Sequence, residues 1–171
     1  MWISRLCVDS SRYASLANNL TDAVVLSTPY NFTAQDAGFK ELVSFVKHDW
    51  VELQACIVTR EAMLKSNPAL VEKYTLATLK GLLSARSNRT ATLPIVATMM
   101  KVKPDLAGRI YDLSIPAMTS HGALTEDVQW KAIEHVVKQM NLKEAPSLQR
   151  LYDFAPLEKA ARQLESQGWK P

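Results

Sequence analysis

The spacing of apolar residues changes character once along this chain, near Thr59, and that change limits the fold more than any other feature. Before it, short apolar runs alternate with helical stretches. Ala23-Val24-Val25-Leu26 is bounded by polar residues and reads as a strand over Asp22–Ser27, of the kind a parallel sheet covers on both faces. Lys40 to Val46 is a second strand candidate. Val51, Leu53, Ala55 and Ile57 alternate with Glu52, Gln54 and Cys56, which predicts a third extended segment. Between them, Ser10 and Ser11 are placed to cap a helix through Tyr13 and Leu16 that ends at Asn18-Asn19. Pro29 opens another, through Phe32 and Ala34, that stops at Gly38. Helix, strand, helix, strand in that order predicts an α/β layer. After Thr59 the spacing is helical throughout.

The clearest helix opens at Asn67-Pro68, an N-cap followed by proline in the first turn. Leu70, Val71, Tyr74, Ala77, Thr78, Leu82 and Ala85 share one face at 3.6-residue spacing, so that face is expected to meet the core. Gly81 lies on the same stripe, which suggests close approach of another element. Pro94 places the start of the next helix near Thr92, since proline disrupts a helix interior. Further helices are predicted from Lys103-Pro104-Asp105 to Pro116, from Thr125 through Met140, and over Leu157–Gln167. Asp127/Lys131 and Glu134/Lys138 are acid-first i,i+4 pairs.

Composition narrows the function classes. Five glycines in 171 residues are few for an all-β protein full of tight turns. Twenty basic and 17 acidic residues are interspersed, so no nucleic-acid partner is expected. No apolar run approaches the roughly 18 residues of a membrane span, so no direct insertion is expected. The stretch Met1–Asp9 has no signal-peptide pattern, and periodic structure starts almost at once, as in a chain whose natural beginning lies upstream. Cys7 and Cys56 form no CxxC pair and read as small hydrophobes. His48, His121 and His135 have no ligand partner at i+4, so no metal site is expected. No nucleophile elbow, P-loop or dinucleotide fingerprint is present, and neither catalytic residues nor a cofactor are expected.

The one stretch that points to chemistry is Ser27-Thr28-Pro29-Tyr30-Asn31. It follows the carboxyl end of the first predicted strand and opens a helix. Ligands of open α/β sheets bind beyond that end. Helix amides with the Ser27 and Thr28 hydroxyls would suit an oxyanion, with Tyr30 stacking on or bonding to it. The alternative is that Ser27 or Thr28 only caps the helix. Trp50, at the change of pattern, either lines a cleft or is ordinary packing.

In order and spacing these motifs resemble solute-binding proteins of ABC transporters, of the nitrate/sulfonate/taurine and thiamine-pyrimidine-precursor-binding type. Leu16-Ala17-Asn18-Asn19-Leu20-Thr21-Asp22-Ala23, with the apolar run and Pro29, is similar to that family's "L-x-x-G-x-x-D-A, apolar strand, P" signature, Asn19 replacing its glycine. Gly38-Phe39-Lys40 and Leu42 continue it. Ile57-Val58-Thr59-Arg60-Glu61 to Asn67-Pro68 and Lys80-Gly81 resemble the later "T-x-E-x-L … N-P-x-x-V" and "A-x-x-K-G" segments. Pro94 interrupts a helix the family usually continues.

The resemblance matches only the second half of such proteins. It implies the C-terminal portion of a two-lobed periplasmic binding protein of type 2, an α/β fold with a short parallel-sheet segment followed by a helical region. Residues 1–49 would be part of the second lobe, 50–59 an interlobe crossover strand and 60–171 a helical portion of the first lobe. It implies a small anionic or aromatic solute held at Ser27, Thr28, Tyr30, Asn31 and Trp50, a membrane permease as partner, and a periplasmic location. With the N-terminal half lacking, solute binding is expected to be weak, and apolar surface is expected to lie open where the rest of a sheet would pack. Two other readings share this lobe architecture. One is a synthase making a thiamine pyrimidine precursor, which would need a cysteine-rich motif. The other is the effector domain of a regulator, which would carry a helix-turn-helix upstream.

Overall fold

The computed structural model describes residues 8–45 and 56–171, and none of these is in a strand. The helices are α1 (Asp9–Ala17), α2 (Tyr30–Asp36), α3 (Glu61–Ser66), α4 (Pro68–Ser87), α5 (Arg89–Met100), α6 (Pro104–Ala117), α7 (Glu126–Met140), α8 (Leu148–Leu151) and α9 (Ala155–Ser166).

The expected α/β fold with a parallel-sheet segment is therefore overturned: the protein is helical. Residues 22–27 and 40–44 are irregular, and so are 56–60. The reason is visible in their exposure. Val25 is 61% exposed, Leu42 80% and Val58 81%, so no neighbouring strand or helix covers them. A strand holds only when its backbone groups are paired and its apolar face is covered. β-branched composition alone supplies neither. Residues 51–55 of the third predicted segment lie outside the described residues.

Several helix ends follow their local chemistry. Asn67 caps α4, its side-chain oxygen accepting from the Leu70 amide at 3.2 Å, with Pro68 in the first turn. Past α1, Asn19 takes a left-handed conformation at φ 56°, and Gly38 does the same past α2 at φ 91°. Gly168 follows α9 at φ 59°. Other starts differ from expectation. Val8, not Ser10 or Ser11, is the N-cap of α1. Asn88 accepts from the Ala91 amide at 3.0 Å and starts α5 at Arg89, so Pro94 stands inside that helix rather than near its beginning.

The chain divides into two compact units. Of the described residues, the first takes 8–45 and 93–114, and the second takes 56–92 and 115–171. In the first, Ser15 of α1, Ala34 of α2 and Ala107, Ile110 and Tyr111 of α6 are buried. Arg109 ties α6 to α2. Its guanidinium lies 2.6 Å from Asp36 Oδ1 and 3.2 Å from Gln35 Oε1, with Cζ 4.5 Å from the centre of the Phe32 ring.

The second unit is organised around α4 and α9. Leu76, Leu79 and Leu83 meet Leu157, Ala160 and Leu164, and Trp169 closes the end of the cluster. Both triplets have 3-then-4 spacing, which keeps one narrow seam of each helix in contact along its length. Lys159 Nζ reaches Glu72 Oε1 at 2.6 Å beside the seam, and Lys80 lies over the Trp169 ring. The stripe expected to face the core is only partly covered: Val71, Leu82 and Ala85 are half-buried, whereas Leu70 is 50% exposed, Tyr74 59%, and Ala77 and Thr78 are exposed. A Cβ on Gly81 would meet nothing within 4 Å, so among the described residues no element approaches it. Elsewhere Ile133 and Gln129 of α7 are buried, the Gln129 amide donating to the Leu124 carbonyl at 2.9 Å. Lys131 pairs with Asp127 at 2.7 Å, as the i,i+4 spacing predicts, and this hydrogen bond raises the lysine pKa.

Candidate functional site

The segment between α1 and α2, with the first turn of α2, carries four of the five residues singled out from sequence. Leu20 to Ser27 is irregular, with bends at Leu20 and Asp22, and a turn at Thr28-Pro29 leads into α2. The Thr28–Pro29 peptide is cis, and Pro29 is the N-cap of the helix. Ser27 is exposed; Thr28, Tyr30 and Asn31 are half-buried. The rings of Tyr30 and Tyr13 have centroids 6.1 Å apart at 38°, a tilted pair that joins α2 to α1. Trp50 lies outside the described residues.

The amides at the start of α2 are engaged. Asn31 N donates to the Ser27 carbonyl at 3.2 Å, and Phe32 N and Thr33 N both donate to the Pro29 carbonyl at 3.1 Å. The Thr33 hydroxyl adds a fourth bond to this turn, to the same Pro29 carbonyl at 3.3 Å. Neither Ser27 nor Thr28 caps α2 with its side chain. Arg12 on α1 lies 3.2 Å from Asp9 Oδ1 and donates to the Val25 carbonyl at 3.4 Å, tying the irregular segment to the helix.

Two polar atoms on this segment are buried without a hydrogen-bond partner, Asn31 Oδ1 and Thr21 Oγ1. A buried acceptor without a donor costs roughly 1–3 kcal/mol. The open valence at Asn31 asks for an N–H or O–H donor. The sequence singled out Asn31 as the end of the Ser27-Thr28-Pro29-Tyr30-Asn31 stretch that opens a helix. It missed Thr21, which has no motif of its own and whose burial depends on how the segment folds back.

Two open hollows belong to the other unit. One, of about 240 Å³, lies between α4 and α9 and is lined by Leu64, Val71, Pro156 and the Glu72–Lys159 pair. The second is lined by Val58, Thr59, Arg60 and Met63. Among the described residues no group of three or more His, Cys, Asp or Glu side chains is placed to hold a metal ion. No helix of the described residues is long and apolar enough to cross a membrane. No family model, curated protein or solved structure matches the chain.

Proposed function

We propose that the chain is part of the solute-binding component of an ABC importer, and that it contributes one wall of a site for a small organic solute, delivered to a membrane permease. The reading begins from the ordered motifs between Leu16 and Gly81. The observation that carries it is Asn31, whose buried Oδ1 lacks a donor on the very turn where the resemblance puts ligand-binding residues. The role is capture rather than catalysis. The work is done outside the cytoplasmic membrane.

The local bonding also shapes the solute. With the Asn31, Phe32 and Thr33 amides engaged, what the turn offers is an acceptor at Asn31, hydroxyls at Ser27 and Thr28, and the edge of the Tyr13/Tyr30 pair. That favours an aromatic solute with N–H or O–H donors over a bare oxyanion.

The test is an NMR titration of the isotopically labelled chain with an aminopyrimidine, taurine, nitrate and benzoate in turn. The expected result is that the aminopyrimidine shifts residues 21 and 27–31, with a Kd weaker than about 1 mM, or less than about 4 kcal/mol of binding. Asn31→Ala should abolish those shifts while leaving the α9 signals in place. If none of the four probes moves residues 21 or 27–31, the reading is wrong.

A further inference from the structure

Among the described residues the chain passes between its two units twice, and both passages lie inside helices. The first is in α5, between Thr92 and Leu93; the second is in α6, between Ser114 and Ile115. Each has a proline within the helix two residues beyond the last residue of the unit it leaves: Pro94 in α5 and Pro116 in α6. The other prolines of the described helices, Pro68, Pro104 and Pro156, stand in first turns, where a missing N–H is no loss.

Position decides what a proline does. Inside a helix it has no N–H to give to the carbonyl four residues back, here Thr90 or Asp112, and its ring crowds that carbonyl. The turn before the proline is the place where a helix bends. In α6 the two sides of this turn are held by different partners. Upstream, Arg109 binds Asp36, Gln35 and the Phe32 ring, all on α2. Downstream, Arg86 of α4 donates to the Ile115 carbonyl at 3.0 Å and the Met118 carbonyl at 2.9 Å. One end of the helix is thus tied to the first unit and the other to the second, with the weakened turn between the two arginine ties.

We propose that α5 and α6 form a paired helical hinge, bending at Pro94 and Pro116, about which the two units move as separate bodies. The hinge needs no ligand and stands apart from the solute reading. It belongs to the class of hinge motions in which a few residues absorb the backbone change while the packed bodies stay intact.

Spin labels at Ala14→Cys on α1 and Ala161→Cys on α9, with Cys7→Ser and Cys56→Ser, report the distance between units by double electron-electron resonance. The expected result is a broad distribution in this background that narrows about twofold when Pro94→Ala and Pro116→Ala restore both helix bonds. Pro104→Ala, in the first turn of α6, should leave the width unchanged. An unchanged width in the double variant overturns the hinge, and so does equal narrowing by Pro104→Ala. Hydrogen exchange on the unsubstituted chain gives an independent reading. Amides 112–115, in the turn before Pro116, should exchange at least about tenfold faster than those of the preceding turn, 108–111. Uniform protection along α6 overturns the proposal even if the double variant does not fold.

Discussion

Two glycines show how far a residue's effect depends on what surrounds it. Gly81 and Gly122 are the same residue type in the same unit. Gly81 lies in the middle of α4, exposed, with open space where a side chain would go. Gly81→Ala should therefore stabilise the protein by about 1 kcal/mol through helix propensity alone. Gly122 has φ +89°, and a Cβ there would stand 3.3 Å from Leu157 Cδ1. Gly122→Ala should cost at least about 1 kcal/mol from the backbone conformation, before Leu157 is displaced. Urea denaturation of the two variants, followed by helical circular dichroism, should give midpoints shifted in opposite directions. Asn31 belongs to this scale too. Its place in the first turn of a helix was legible in the sequence, whereas its unpartnered oxygen depends on the bonds its neighbours make.

Among the elements, α4 shows where periodicity stops being informative. Its sequence holds two stripes at helical spacing. One runs through Leu70, Val71, Tyr74, Ala77, Thr78, Leu82 and Ala85, with Gly81 among them, the other through Leu76, Leu79 and Leu83. Spacing alone does not rank them. The second is buried because α9 offers Leu157, Ala160 and Leu164 at the same 3-then-4 interval, so the two seams interlock. Leu79 is 3% exposed at the centre of that contact. Leu79→Ala should cost about 3 kcal/mol, while Leu70→Ala, on the partly covered stripe, should cost less than about 1 kcal/mol. Denaturant midpoints for the pair distinguish this seam from the one periodicity first suggests. The start of α4 needed no such arbitration. Asn67-Pro68 fixes it through a side-chain bond and a ring that stay within one turn, which is why that boundary could be read directly.

Across the whole molecule, the main consequence of a helical fold is that apolar segments with strand-like composition are left uncovered. Leu42 at 80% exposure, Val43 at 59% and Phe45 at 45% lie together in one stretch, and Ile57 and Val58 in another. Contiguous exposed apolar residues favour association. Light scattering should show mass rising with protein concentration, and Leu42→Lys with Val43→Lys should suppress that rise without altering helix content. A concentration-independent mass for the unsubstituted chain would show that these residues drive no association. The expectation of open apolar surface rested on a missing sheet. The exposure is observed, but in a chain without strands among its described residues.

What the sequence determined by itself was local. It located helix starts and stops at Asn67-Pro68, Asn19, Gly38 and Gly168, and the helical character of everything after Thr59, because capping bonds, left-handed residues and 3.6-residue spacing act within a turn or two. It also singled out the turn that carries Asn31. The tertiary structure alone decided whether the apolar runs at 22–27 and 40–45 would become strands, which stripe of α4 would be buried, and that Pro94 would stand inside a helix. The first two depend on a partner distant in sequence, whose presence local composition does not encode. Pro94 depends on where Asn88 starts the helix and on the neighbours that hold it through a weakened turn.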